Sequence, residues 1–449
     1  MASLSDAPAA ARGFATERSA ELFARAERVM PSGYTRDLVA QLPHPQYASH
    51  AQGCWLTDID GNRRIDWVNN FTSMIHGHAP PAVVRVIAEQ AGRLMNAVLP
   101  TEWEVGLAEH LVDRVPGIDR IRFTNSGTEA NAIAVKAARA FTGRSKVAKI
   151  EGGYHGQFDL LEASHQPTAP LWGPAERPVP VPHNPATPQS LLDELVILPL
   201  NDIANSRAIL AERAAELAAV IIDPWRLQAG MVSPRRDYLE MLREETARLD
   251  IVLIFDEVVS LRASHGGAQG LHGILPDLTT LGKIIGGGLP IGGVGGSAAV
   301  MSVFEMGRPD GKVKHSGTFT ANPLSMATGL TSMRLLTRAA LEDLSAKSER
   351  LREGLRRAIR DTGLPGDVTG DGSVSALMLT DQPTENFRQF AHALQNGLMA
   401  RLLALQALLT EEGIFTLRGN FIGSTPMTDD DVDFTIAGAT RAMRRLAEA

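Results

Sequence analysis

Apolar residues recur along this chain at two periods, and the change from one to the other divides it. Phe14, Leu22, Phe23, Ala26 and Val29 fall near helical spacing, which predicts a helix over 14–30 that stops before Pro31-Ser32-Gly33. Alternation runs from Trp55 to Trp67 and is broken at Asp60-Gly61-Asn62, which predicts a hairpin whose turn uses residues that tolerate positive φ. Helical spacing returns over 82–94 and 103–114. From about Arg120, short apolar runs alternate with helical patterns, the signature of a parallel sheet covered on both faces. Candidate strands are 121–123, 147–150, 219–222, 251–255 and 278–281. Residues 159–199 are rich in Pro and His and carry little pattern, and so long an irregular stretch inside a compact domain points to function. Beyond Asn322-Pro323 a helix over 324–337 is expected to continue through 341–360. A last helix should open at Thr428, an N-cap with Asp431 three residues on.

These elements define an α/β protein: a large domain with a mostly parallel sheet covered by helices, and a smaller α/β domain. The expected limits are a mobile tail over 1–13, an N-terminal segment over 14–80 that joins the small domain, a large domain over 81–323, and the small domain over 324–449.

Composition narrows the classes. With 449 residues, 44% of them apolar and 21% charged, the chain can bury a large core. A formal charge of -7 without long like-charge blocks gives no footprint for nucleic acid or for an anionic membrane. The single cysteine, Cys54, excludes an intramolecular disulfide and a Cys-based zinc site. The N-terminus lacks the basic and long apolar segments of a secretory signal, and a cytoplasmic location is expected. His76 and His78 have no second ligand cluster, so no metal is expected.

Three stretches carry chemistry. Asn125-Ser126-Gly127-Thr128-Glu129-Ala130 stands where one strand ends and a helix begins. The free N–H groups of that first turn, with the Ser126 and Thr128 hydroxyls, suit a phosphate; an ordinary N-cap has the same form. The apolar run 251–255 terminates in Asp256-Glu257-Val258, at the strand end where ligands sit in open α/β sheets. Lys283, 27 residues beyond Asp256, lies in Leu281-Gly282-Lys283-Ile284-Ile285-Gly286-Gly287-Gly288. A nucleophilic lysine needs its pKa depressed from about 10.4, which apolar neighbours achieve. The glycines around it are expected to let the backbone approach a bound cofactor where a Cβ would intrude. An Asp for a pyridinium nitrogen and a Lys for a Schiff base are what pyridoxal phosphate chemistry requires.

Ser126-Gly127-Thr128-Glu129-Ala130-Asn131, Gly153-Tyr154-His155-Gly156, Asp256-Glu257-Val258, Leu281-Gly282-Lys283 and His315-Ser316-Gly317-Thr318-Phe319 occur in the order and approximate spacing of the class III aminotransferases. Over about residues 20–445 the chain resembles the branch that contains glutamate-1-semialdehyde aminomutase, D-phenylglycine aminotransferase and β-phenylalanine aminotransferase. The resemblance implies the fold type I of pyridoxal-phosphate-dependent transferases, with pyridoxal 5'-phosphate held covalently by Lys283. That lysine then moves the proton between substrate carbon and cofactor. Asp256 is implied at the pyridine nitrogen, Val258 on one ring face and Tyr154 on the other. Ser126, Gly127 and Thr128 would hold the phosphate, and Thr318 would reach it from a second subunit, so a homodimer is implied.

Substrate recognition is expected to rest on arginines, because a bidentate Arg–carboxylate pair is directional. Arg36 resembles the position that grips a β-amino acid carboxylate, and Arg418 the mobile arginine that receives the carboxylate of the amino acceptor. Arg262, six residues after Asp256, also fits the β-phenylalanine aminotransferase spacing. Two departures stand out: Asp223-Pro224-Trp225-Arg226-Leu227-Gln228 replaces the family's Glu-Pro pattern, and Asn69-Asn70-Phe71-Thr72-Ser73-Met74 lacks the tryptophan of the mutase. The leading expectation is transfer from a β-amino acid to 2-oxoglutarate or pyruvate. The alternatives are a glutamate-1-semialdehyde-type aminomutase and an α- or D-amino acid aminotransferase. A dinucleotide-binding reading of Gly286 to Gly296 fails because those glycines do not open a helix after the first strand of a βαβ unit.

Overall fold

The computed structural model describes residues 16–39, 43–225, 232–308 and 312–448. The tail expected over 1–13 and the stretch Arg226-Leu227-Gln228 lie outside these. The chain divides into two compact units, one of residues 81–341 with 384–391, the other of the N-terminal part to Pro80 with 342–383 and the chain from His392 onward.

The second of these units contains strands β1 (Ala48–Gln52), β2 (Trp55–Asp58) and β3 (Arg63–Asp66). β2 and β3 form the expected hairpin, whose turn is tied by the Asp58 carboxylate to the N–H groups of Asp60 and Asn62. The larger unit contains β4 (Arg120–Thr124), β5 (Lys146–Ile150), β6 (Leu195–Leu198), β7 (Leu217–Ile222), β8 (Val252–Asp256), β9 (Leu278–Gly282) and β10 (Gly292–Gly296). The remaining strands, β11 (Asp367–Asp371), β12 (Val374–Met378), β13 (Ile414–Phe415) and β14 (Asn420–Ile422), belong with β1–β3. There they make sheets ordered β1-β2-β3-β13 and β11-β12-β14.

The seven strands of the larger unit pair in the order β4-β10-β9-β8-β7-β5-β6, and β10 alone runs antiparallel to its neighbours. Both faces are covered, which explains why the strands are apolar throughout. Ala219, Ile221, Val252 and Ile254 pack on one side with Ile133, Ala134, Ala137 and Ala138 of the helix Gly127–Thr142. Val220, Ile222, Leu253 and Phe255 pack on the other with Tyr238, Leu239 and Leu242 of the helix Arg236–Arg248. Each large apolar side chain buried here contributes about 1.5–3 kcal/mol.

The structure corrects three expectations. Residues 159–199 are not wholly irregular, since they end in β6. The long helix is broken at Leu336, the C-cap of Pro323–Leu335, and restarts as Arg338–Thr362. The expected domain limit at 323 falls instead inside that second helix, because Pro323–Leu335 packs against the helices Pro81–Ala91 and Glu102–Arg114 of the larger unit. The last helix, Asp429–Ala447, opens on the Thr428–Asp431 capping box.

One loop of the other unit is strained. Asn69, Asn70, Phe71 and Thr72 have φ of 48°, 46°, 54° and 77° in succession. Left-handed backbone costs a non-glycine residue about 1–2 kcal/mol, so surrounding contacts must hold this run in place.

Candidate active site

The register of the large sheet aligns Thr124, Gly292 and Gly282 in one row and pairs Asp256 with Thr280. Ser126, Asp256 and Lys283 therefore emerge from the same edge, at the carboxyl ends of β4, β8 and β9. Ile222 pairs with Phe255, so Asp223 leaves β7 beside Asp256.

Asp256 is buried and held from three directions. Its Oδ2 accepts from Asn131 Nδ2 at 2.9 Å and lies 2.8 Å from His155 Nδ1. Its Oδ1 accepts from the Val258 N–H at 3.1 Å and lies 3.4 Å from Thr280 Oγ1, whose proton goes to Asn131. Burial alone would raise its pKa, but the hydrogen bond and charge of His155, then Asn131 and the Val258 N–H, outweigh burial and hold the carboxyl below its usual range. Asn131 is itself oriented, donating also to the His155 carbonyl at 3.0 Å and accepting from Thr280 Oγ1 at 2.6 Å. The result is a fixed, ionised carboxylate at a strand end.

Lys283 follows β9 with φ 50°, an uncommon conformation for a residue with a side chain. Burial pushes its amine below the ordinary lysine value, against the opposing pull of Asp256 and Asp223. The glycines after it are hemmed in by protein neighbours. A Cβ on Gly286 would stand 2.6 Å from Ile291, and one on Gly287, at φ 60°, would stand 2.5 Å from the Thr328 carbonyl. Gly286 leaves room for Ile291, and Gly287 lets this turn press against the helix Pro323–Leu335, whose Thr328 hydroxyl donates to the Gly286 carbonyl at 2.8 Å. The bare backbone that faces the site is Gly127 and Gly282, whose added Cβ atoms would lie 2.8 Å and 3.3 Å from the Val258 methyls. Val258 thus links the helix start at Gly127 to the residue before Lys283.

Ser126 is the N-cap of Gly127–Thr142, its hydroxyl accepting from the Glu129 N–H at 3.1 Å. The N–H groups of Gly127 and Thr128 have no acceptor inside the helix and remain for an anion. Thr128 Oγ1 accepts from the Gln157 N–H at 3.3 Å, and a Cβ on Gly156 would strike that oxygen at 2.3 Å, so the Tyr154 loop packs on the cradle. The Tyr154 ring lies 4.8 Å from that of His165, tilted by 56°. Burial, then Glu162 and Asp256, push its phenol pKa up and keep it neutral. Thr318 is exposed, and its carbonyl accepts from Asn96 Nδ2 at 3.3 Å.

Arg36 and Arg418 lie in the other unit. Arg36 is exposed and Nη1 donates to Asn70 Oδ1 at 3.0 Å. Arg418, at φ 50°, stands in the turn between β13 and β14, its N–H held by Gln406. Arg262 is buried beside the site's helix Glu257–Ser260, where burial lowers its pKa to about 9. His78 Nε2 lies 2.7 Å from Asp66 Oδ2, and His76 Nδ1 lies 2.9 Å from Thr425 Oγ1. No helix among the described residues is long and apolar enough to cross a membrane. Gly292 to Gly296, part of the stretch considered as a dinucleotide loop, form β10.

A buried amine of lowered pKa, a carboxylate kept ionised and a helix start with free N–H groups fit a cofactor with a cationic ring and a phosphate. They define a pyridoxal-phosphate enzyme of the fold type I class. The comparisons give the family: residues 39–409 match the class-III aminotransferases, and the chain belongs to that family. It is 36% identical over 440 residues to glutamate-1-semialdehyde 2,1-aminomutase 2 of Bacillus licheniformis, covering 96% of this chain and 99% of that protein. An omega-transaminase from Sphaerobacter thermophilus superposes with TM-score 0.91 at 42% identity, covering 98% and 99% of the two chains. A β-phenylalanine aminotransferase from Variovorax paradoxus superposes with TM-score 0.82 at 32% identity, covering 94% and 93%. The protein is therefore an enzyme whose cofactor is pyridoxal phosphate. Bound, that cofactor supplies an electron sink for the carbon that bears the amine.

Proposed function

We propose that the protein transfers an amino group from a β-amino acid, with aromatic 3-amino acids as the favoured class, to a 2-oxo acid such as 2-oxoglutarate or pyruvate. The observation that carries this reading is Arg36, an exposed guanidinium whose only hydrogen bond among the described residues is to the neutral Asn70 and which makes no ion pair there. An arginine left with its charge uncompensated suits a substrate carboxylate, which it binds in a bidentate, directional pair. Arg418 takes the carboxylate of the acceptor. In this reading Lys283 carries the proton to and from the substrate carbon, Asp256 faces the ring nitrogen, Tyr154 and Val258 flank the ring, and Ser126, Gly127 and Thr128 hold the phosphate. The enzyme works as a homodimer, with Thr318 completing the neighbouring site. The exposed apolar residues Met95, Val98, Leu99 and Phe319, close to Thr318 through its bond with Asn96, support a surface covered by a second copy.

A second reading has its own support. The curated relatives at 36–38% identity are named as glutamate-1-semialdehyde 2,1-aminomutases, which favours an isomerase more than it favours a β-amino acid donor. Dependence on an acceptor separates the two. Purified holoenzyme is assayed with α- and β-amino acid donors against 2-oxoglutarate and pyruvate, and with glutamate 1-semialdehyde alone. Transfer from β-amino acids that requires the 2-oxo acid, and that Arg36→Ala abolishes selectively, supports the aminotransferase. Turnover of the semialdehyde without any 2-oxo acid, with no transfer from β-amino acids, refutes it in favour of the mutase.

A further inference from the structure

The strained run Asn69–Thr72 makes no sense as a surface loop, because an ordinary turn with one glycine would avoid four consecutive left-handed residues. Its surroundings hold it firmly. Asp66 Oδ1 accepts from the N–H groups of Val68 and Asn69 at 2.8 Å and 3.0 Å, and Asn69, fully buried, donates through Nδ2 to the Ile422 carbonyl at 2.6 Å. On the far side the Met74 N–H donates to the Asn69 carbonyl at 3.0 Å. What the run presents outward is Asn70, and Asn70 holds Arg36.

The orientation of the Asn70 amide follows from its neighbour. The Ser73 hydroxyl has one proton, which it gives to the Asn70 carbonyl at 2.9 Å. Toward the Asn70 side chain, 3.1 Å away, it can therefore only accept, so Nδ2 faces Ser73 and Oδ1 faces Arg36. Oδ1 then takes one N–H from Arg36 Nη1 and fixes the plane of the guanidinium. The edge formed by Nε and Nη2, the fork that matches a carboxylate, has no hydrogen-bond partner among the described residues and suits a ligand. The segment that bears Arg36 is held behind it, since Gly33, at φ 73°, presses its bare Cα against the Phe23 ring, where a Cβ would stand 2.6 Å away.

We infer that Asn70, carried on this left-handed run, is a positioning residue that sets the direction from which Arg36 receives a substrate carboxylate, and so helps to select substrates by where their acid group lies. The inference rests on the reading of Arg36 as the donor's carboxylate anchor. Asn70 suits the task because a neutral acceptor orients the guanidinium without cancelling its charge, whereas an acid at the same place would occupy the fork.

The test compares Asn70→Asp, Asn70→Ala and Arg36→Ala with the wild-type holoenzyme. The measurements are inhibition by 3-phenylpropanoate, a carboxylate without an amine, and KM against kcat for 3-amino-3-phenylpropanoate. Melting without ligand reports on the fold. Asn70→Asp is expected to weaken inhibition by about tenfold or more, approaching Arg36→Ala, and to raise the donor KM by a similar factor while kcat falls much less. Asn70→Ala, which frees the guanidinium plane but leaves its charge, weakens inhibition by a smaller factor. If Arg36→Ala loses the inhibitor while both Asn70 variants bind it as the wild type does, the positioning role is overturned and the anchor stands. If Arg36→Ala itself binds the inhibitor unchanged, the anchor reading fails and this inference with it.

Discussion

Replacing His155 tests whether the charge on Asp256 is maintained by its neighbours. His155 is buried with Nδ1 2.8 Å from Asp256 Oδ2, and among the groups that hold the carboxyl pKa down, against the upward push of burial, it is the largest. A hydrogen bond to a charged group is worth about 1.5–3 kcal/mol, so losing it in His155→Leu should raise the Asp256 pKa. The sign follows from the bond favouring the ionised form. A carboxyl with a depressed folded pKa contributes stability above its unfolded value of about 3.9 and loses it as pH falls through the folded value. In the variant the folded value lies higher, so that loss is complete at higher pH. Holoenzyme is equilibrated across acid pH, and retained cofactor is read from its visible absorbance and from activity. The midpoint for loss of cofactor should move up in His155→Leu. His155→Asn, whose amide N–H stands near the place of Nδ1, should recover most of the shift. Equal acid midpoints for wild type and His155→Leu, or an Asn variant as sensitive as the Leu variant, would refute the argument.

Features set by local sequence are legible in the pattern of the chain, and features set by distant neighbours are not. Lys283, Asp256 and the Ser126 turn were legible because each sits at a junction, a strand end or helix start, that apolar periodicity marks from both sides. The groups that make Asp256 a usable carboxylate were not. Asn131 and His155 stand 125 and 101 positions away along the chain, and only the sheet brings them together. β10 is not legible because four of the five residues of Gly-Gly-Val-Gly-Gly have low strand propensity. Its glycines answer to neighbours, for a Cβ on Gly292 would stand 2.1 Å from the Ser126 carbonyl and one on Gly295 2.7 Å from Ile118. β6 was hidden in Pro-rich surroundings that mask its four apolar residues. The left-handed run at Asn69 is the least legible feature, since Asn69 and Asn70 tolerate positive φ but nothing in Phe71 and Thr72 marks the run as continuing through them.

Two further predictions concern the larger unit. Lys283→Ala should keep the fold and pyridoxal phosphate's phosphate contacts, yet borohydride should no longer fix the cofactor to the chain, and turnover should fall by at least about 10²–10⁴-fold; undiminished turnover would remove the lysine from the chemistry. The last prediction concerns Arg388, which no local pattern connects to the site. Its guanidinium pairs with Glu151 at 2.9 Å and donates to the carbonyls of Trp172, Gly173 and Pro174, while stacking 4.9 Å from the Trp172 ring. Next to it, Phe387 lies where a Cβ on Gly152, at φ 79°, would stand 2.4 Å away. The short segment 384–391 therefore clamps both the Pro-rich stretch and the backbone two residues before Tyr154. Glu151 is buried, and burial holds its pKa above the usual carboxyl range even with Arg388 beside it. Breaking a buried pair by removing one partner costs about 3–5 kcal/mol. In Arg388→Met the orphaned Glu151 can take up a proton, which places the expected loss near the lower end of that range at neutral pH and makes it grow as pH rises. Urea unfolding followed through cofactor absorbance, together with limited proteolysis within 159–187, should show the Tyr154 side of the site opening first. Glu151→Leu with Arg388→Met, which leaves no buried charge behind, should be more stable than Arg388→Met alone. A double variant less stable than the single one would mean that the clamp is held by packing around Trp172 and Phe387 and not by the ion pair.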